Sequence, residues 1–282
     1  MQLSKLEYNI YNELKKNKFV VFRIQDMCHV FSMSTMQAYN VMKALKKKNA
    51  ITVVKNGTYA FNDAHDFVVG TSFHCPSYIS FWSALNYYGW SDQTPHRIFL
   101  ATSKYAKKIS SFVYVTLSVK KFFGYIMLGE IVIAEKEKAF IDALLFPKYA
   151  GGIREIQECF KKAHKELNID KLIVYARRVQ SKAVVRRLGF LLEQEKDIRA
   201  KKLLKYIGSG YERLDPSLPK KNKFIKNSGN LDSDLSRIVK NRRFLSASRT
   251  RGSLSLVIDN SKKTTPTKRI IYNKRWLLDI NN

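Results

Sequence analysis

The stretch Ser34-Thr-Met-Gln-Ala-Tyr-Asn-Val-Met-Lys-Ala-Leu-Lys-Lys47, followed closely by Ile51-Thr-Val-Val-Lys-Asn-Gly-Thr-Tyr-Ala-Phe61, decides how the first third of this chain folds. Ala38, Val41, Met42 and Leu45 recur at i, i+3, i+4 and i+7, the spacing of one helical face. Ser34 stands where a hydroxyl can accept from the first unpaired amides, so a helix is predicted over about 34–48. The strand-like runs 51–54 and 58–61 flank Lys55-Asn56-Gly57, and Asn-Gly signals a two-residue hairpin because both turn positions tolerate positive φ.

Upstream, Ser4 precedes Leu6, Ile10 and Leu14 at i, i+4 and i+8, which predicts a first amphipathic helix over 4–16. The apolar run Phe19–Phe22 leads into a second near 23–31, where Ile24, Met27 and Phe31 share a face, and Ser32-Met33-Ser34 supplies the turn. Three helices with a short turn before the third, closed by a hairpin, predict a winged helix-turn-helix over 1–65. The third helix then leaves Met36, Asn40, Lys43 and Lys47 opposite its core stripe, with Gln37 and Tyr39 flanking and Ser34 and Thr35 at its start. Asn and Gln amides pair with adenine, Lys reaches guanine or phosphate, and hydroxyls and amides at a helix start suit a phosphate. With Lys55 and Asn56 at the hairpin tip, these residues (Ser34, Thr35, Gln37, Asn40, Lys43, Lys47) form the expected contact set for double-stranded DNA.

Charge points the same way. The 282 residues carry 51 Lys+Arg against 23 Asp+Glu, a net +28, and such an excess is most naturally held against a polyanion. By segment the balance is +5 over 1–66, +11 over 67–215 and +12 over 216–282, so the densest charge is C-terminal. No run of 18 apolar residues and no basic-then-apolar leader is present, so the sequence predicts a cytoplasmic protein with no membrane partner. Cys28, Cys75 and Cys159 are odd in number and widely spaced, and are read as small core residues.

Beyond Asp66 the pattern changes. Phe67–Phe73 reads as a strand, Ser77–Tyr88 as an aromatic-rich helix, and 97–102, 112–118, 122–128 and 130–134 as strands of a curved mixed sheet. Helices are predicted over 136–145, 153–166, 169–177, 181–195 and 197–206. The fold class is therefore α+β: the winged helix at 1–65, a mixed α+β domain over 66–224, and a basic, largely flexible tail at 225–270. Residues 253–259 and 275–280 are two candidate last strands, so 271–282 is a candidate closing segment.

Catalytic and metal chemistry is not evident. The five histidines fall in no ligand spacing, and His74-Cys75 reads as loop packing. Glu130, Glu135, Glu137 and Asp142 lack the lysine spacing of a nuclease and read as solvated. Gly151-Gly152 and Gly208-Ser209-Gly210 lack the setting of a phosphate loop and read as turns, and Phe81, Trp82, Tyr87 and Tyr88 at helical spacing read as core. The sequence thus predicts no cofactor, no metal and no enzyme.

Four stretches resemble the AbiEi family of antitoxins. They are Tyr78-Ile-Ser-Phe-Trp-Ser-Ala-Leu-Asn-Tyr-Tyr-Gly89; Lys138-Ala-Phe-Ile-Asp-Ala-Leu-Leu-Phe-Pro147, leading to Tyr149-Ala-Gly-Gly-Ile153; Val185-Arg-Arg-Leu-Gly-Phe-Leu-Leu-Glu193; and Leu214-Asp-Pro-Ser-Leu-Pro-Lys-Lys221. The similarity covers about residues 1–224. It implies an antitoxin domain over 66–224 and a repressor of a shared promoter acting through inverted repeats. It also implies that the protein counteracts an AbiEii-type nucleotidyltransferase toxin without a stable complex. Arg186 and Arg187 are the basic candidates of that domain. The chain departs from the family pattern in placing about 45 basic, polar residues before Arg275-Trp276. The other reading is a DNA-binding transcriptional regulator of a mobile element with no antitoxin activity.

Overall fold

In the computed structural model residues 2–216, 271–273 and 275–280 are described. The first helix, α1 (Lys5–Lys16), starts where a serine and a glutamate three residues on cap each other: Ser4 Oγ accepts from the Glu7 amide, and Glu7 Oε2 accepts from the Ser4 amide at 2.8 Å. The Lys48 ammonium on the same carboxylate is the first cause holding it below the usual carboxylate range, and it ties α1 to the end of the third helix. There follow β1 (Val21–Arg23), α2 (Ile24–Phe31), α3 (Thr35–Lys47), β2 (Ile51–Lys55) and β3 (Thr58–Phe61). The run Phe19–Phe22 is thus more than a lead-in. It enters a strand that pairs antiparallel with β3, Val21 opposite Ala60, and completes a sheet in the order β1-β3-β2.

All four residues of β3 are buried, which a one-faced hairpin would not give. Tyr59 and Phe61 point into a core with Ile10, Leu14, Phe22, Met27, Met42 and Leu45. Ala60 and Val54 belong instead to the larger core that follows, so the hairpin is shared between the two hydrophobic clusters.

That larger core is built on α4 (Asp66–Phe73), β4 (Ser77–Ile79), α5 (Phe81–Tyr87), β5 (Ile98–Thr102), β6 (Lys107–Ile109), β7 (Phe112–Thr116), β8 (Tyr125–Leu128) and β9 (Ile131–Ala134). The expected strand at 67–73 is a helix. His65 Nδ1 accepts from the Phe67 amide at 3.1 Å, and the Thr71 hydroxyl returns to the Phe67 carbonyl at 3.0 Å, local bonds that a strand would lack. At Gly70 a methyl group would lie 2.9 Å from the Phe112 ring, so only glycine lets this helix lie against β7. The expected helix at 77–88 divides into β4 and α5. The mixed sheet runs β6-β7-β5-β4-β9-β8, with β4 antiparallel to β5 and parallel to β9.

The helical layer comprises α6 (Lys136–Leu145), α7 (Gly152–Ala163), α8 (Ile169–Arg178), α9 (Lys182–Gln194) and a 3-10 helix over Ile198–Tyr206. Short β10 (Glu212–Arg213), β11 (Ile271–Asn273) and β12 (Leu278–Ile280) form a second small sheet, β10-β12-β11. The strand expected over 275–280 is therefore only its second half, because Arg275–Leu277 make a turn. That turn drops Trp276 into the interior against Gly189, where a Cβ would sit 2.0 Å from the indole. The other candidate, 253–259, and the tail at 225–270 lie outside the described residues. Among the described residues no helix is long and apolar enough to cross a membrane. Of the cysteines, Cys159 is buried and Cys28 half-buried, while Cys75 is exposed, contrary to the reading of all three as core.

Two of the four acidic residues expected in solvent are interior. Glu137 is buried, and Asp142 is fully buried in an ion pair with Lys138 one helical turn away. Ser80 Oγ and Tyr78 Oη donate to Asp142 Oδ2 at 2.8 and 3.0 Å, and the Lys138 ammonium also donates to Tyr78 Oη at 3.0 Å. Burial lowers the Lys138 pKa and raises that of Tyr78. Removing one partner of such a pair leaves a charge stranded in low dielectric. Asp142→Ala is therefore expected to cost about 3–5 kcal/mol of stability in denaturant titration, and the Lys138→Met/Asp142→Leu pair to recover most of that loss.

Candidate nucleic-acid interface

Ser34 caps α3 as its position suggests, with its hydroxyl accepting from the Gln37 amide at 3.3 Å. Gln37 Oε1 reciprocates by accepting from the Ser34 amide at 2.9 Å. This bond changes the role of Gln37. Pairing with adenine uses both the oxygen and the nitrogen of the amide, and here one lone pair of the oxygen is taken by the cap. Gln37 and Ser34 order the start of the helix, and the cap fixes the direction in which the Gln37 amide is presented.

Ala38, Val41, Met42 and Leu45 are buried, and Met36, Asn40, Lys43 and Lys47 are exposed on the opposite side. Among the described residues Asn40, Lys43 and Lys47 enter no side-chain hydrogen bond or ion pair. The helix has no acidic residue in its first turn and ends on Lys46 and Lys47. Its exposed face is thus polar and cationic without internal neutralisation.

Beside the start of α3 lies a cleft of about 540 Å3. Its walls include Arg23 at the end of β1, Thr35 of α3, Lys55-Asn56-Gly57 of the hairpin, Phe73 of α4 and Lys107 of β6. The hairpin turn takes positive φ only at Gly57 (+73°); Asn56 does not join it, and a register shift between Val53 and Lys55 accommodates the difference. Lys107 reaches the cleft with its ammonium 5.1 Å from the centre of the Phe73 ring. Arg23, Lys55 and Lys107 form no ion pair among the described residues, so three cations face one concavity. Arg23 and Lys107 carry no periodic signal in the sequence; topology alone brings them to the hairpin.

Arg186 and Arg187 are elsewhere and face inward. Arg186 is 1% exposed and donates to the carbonyls of Ile207 and Ser209, and Arg187 is 3% exposed and donates to those of Leu144, Arg213 and Leu214. Both clamp the chain that follows the last helix, so neither presents charge to a partner. Among the described residues no group of three or more His, Cys, Asp or Glu is placed to hold a metal ion. Of the His74-Cys75 pair, His74 is buried, with Nε2 3.2 Å from the Tyr105 carbonyl oxygen, and Cys75 is exposed. Of the four aromatics, Phe81 is fully buried while Tyr87 is 42% exposed.

No family model matches this chain, and no curated protein matches it. Its fold is similar to that of the RV2827C protein from Mycobacterium tuberculosis. The two superpose with a TM-score of 0.51 at 13% identity, over 75% of this chain and 85% of that one. At such low identity the likeness concerns the fold alone.

Two measurements check this geometry. Ser34→Ala removes the reciprocal cap and should cost about 1 kcal/mol, read as a lower unfolding midpoint, whereas Ser34→Asp should retain most of it. His74 is held below its ordinary value of 6.5 first by burial and further by Lys107 and Lys104. A group depressed in the folded state binds fewer protons there than when unfolded, so His74 should withdraw stability as pH falls below 6.5. Lys107→Ala should move its NMR titration midpoint upward, and an unchanged midpoint would place Lys107 away from it.

Proposed function

We infer that residues 1–65 act as a winged helix-turn-helix that binds double-stranded DNA, with α3 in the major groove and the 55–57 hairpin along the adjoining backbone. The observation that carries this reading is the unneutralised face of α3, Asn40 with Lys43 and Lys47, continuous in chemistry with the Arg23–Lys55–Lys107 cleft. A face that only met water would gain nothing from three cations gathered without counter-charges. In this reading Asn40 contacts a base edge, Lys43 a guanine or phosphate, and Lys47, Lys55, Arg23 and Lys107 contact phosphates. Thr35, Ser34 and Gln37 hold the helix start against the backbone.

The sequence resemblance supports a further step, that the protein represses its own promoter and is the antitoxin of a nucleotidyltransferase toxin. The buried positions of Arg186 and Arg187 remove them from any surface that opposes a toxin. Co-expression with a toxin encoded beside it tests that step: rescue by residues 66–282 without the DNA-binding unit supports it, and absence of rescue by the full chain refutes it.

The DNA-binding step is tested by titration on duplex from upstream of its own gene and on random duplex. Asn40→Ala should cost about 1–3 kcal/mol on the specific duplex and little on random DNA. Lys55→Ala and Lys107→Ala should each weaken both duplexes similarly and lower the salt slope by about one. Unchanged affinity in all three variants would contradict the reading.

A further inference from the structure

A second concavity lies far along the chain from the α3 face, and the reading above does not use it. The end of α8, the link to α9, the start of α9 and Tyr206 enclose a cleft of about 580 Å3 whose charged lining is Arg177, Arg178 and Lys182. A neighbouring cleft shares Arg177 and Tyr206 and adds Lys201 and Lys205. Among the described residues none of these five cations is in an ion pair; only Lys202 beside them is, with Asp170 at 2.7 Å. Like charges left unpaired around one hollow repel each other, and a bound polyanion relieves that repulsion.

The cations are held in position. The Arg178 guanidinium lies 3.9 Å from the centre of the Phe123 ring, and that of Arg177 lies 4.6 Å from the centre of Tyr206. Arg186, buried beneath, donates from Nε to the Ile207 carbonyl at 2.9 Å and from Nη2 to that of Ser209 at 2.8 Å, which fixes the Gly208-Ser209-Gly210 turn. Gly208, at φ +66°, lacks the Cβ that would lie 2.7 Å from Lys182 Cε, so the Lys182 stem rests on that pinned turn. Fixed donors lose less freedom on binding than loose surface lysines.

The apolar part of the lining is Val185, the Tyr206 ring and Val174, which is 55% exposed, and Gln180 and Ser181 complete it. A hollow of this volume falls in the range of small-molecule sites, about 300–1,000 Å3. We propose that this cleft binds a nucleoside polyphosphate, with its phosphates on Arg177, Arg178 and Lys182 and its nucleoside against Val174 and Tyr206. Guanidinium and ammonium groups suit phosphate oxygens, and the apolar side suits a base and ribose rather than a second charge.

The test uses the full chain at about physiological salt, titrated by calorimetry with ATP, GTP and inorganic tripolyphosphate. A saturable, one-to-one nucleotide signal is expected, tighter than that of tripolyphosphate. Lys182→Glu and Arg177→Ala/Lys182→Ala should weaken it about ten-fold or more, since each removes charged hydrogen-bond donors. Lys5→Ala/Lys16→Ala on α1, a loss of the same charge elsewhere, should change it less than about two-fold, as expected for screened distant charges. Lys182 is exposed, so its replacement leaves the core intact. Equal losses in the two double variants would show general attraction to a basic protein and overturn the proposal. So would tripolyphosphate binding as tightly as the nucleotides, or a single-stranded oligonucleotide binding in their place. Binding of duplex DNA by the α3 face is measured separately and stands or falls on its own variants.

Discussion

The buried Lys138–Asp142 pair is the constraint on which the larger hydrophobic core turns. Two charges withdrawn from water hold only where every remaining lone pair and proton finds a partner. That requirement fixes α6 against β4 and the start of α5, because Tyr78 and Ser80 supply the missing bonds. The Ser80 hydroxyl is spent on Asp142 and caps no helix. With β4 in place the sheet is in place, α4 lies on β7 through Gly70, and β6 carries Lys107 to the hairpin. A polar cluster in the middle of the larger core thereby positions a cation beside the start of α3.

The parts of the fold legible in the sequence were those with a single wet and a single dry face. α3 shows its period because Ala38, Val41, Met42 and Leu45 face a core while Asn40 and Lys43 face water. α4 shows none. Buried on several sides, it presents Phe67-Val68-Val69 as an aromatic and β-branched run, and the local bonds from His65 and Thr71 that make it a helix leave no pattern at that range. β1 is three residues long and is defined only by its partner β3. Trp276 appears in sequence as part of a strand, yet its burial depends on the absence of a side chain at Gly189, 87 positions earlier.

The candidate site was legible to the same extent. Asn40, Lys43 and Lys47 follow from periodicity, whereas Arg23 and Lys107 depend on topology. Gln37, Arg186 and Arg187 show what periodicity leaves out: their polar side chains bond to backbone groups of the chain itself. The four stretches that carry the family resemblance meet the same explanation. Tyr78, Ser80, Lys138, Asp142, Arg187, Gly189 and Leu214 take part in core bonds or close packing, so the described parts of those stretches hold the larger core together. Surface chemistry, on α3 and in the Arg177–Lys182 cleft, is written outside them.

The central claim is that the 1–65 unit receives duplex DNA on α3 and the hairpin. Amide hydrogen exchange of the full chain, with and without a saturating duplex from upstream of its gene, tests it most directly. The account predicts slower exchange over 34–40 and 55–58 and at the start of β6 around Lys107, with α8 and α9 unchanged. Protection confined to other elements, with α3 and the hairpin exchanging as in the free protein, would contradict it.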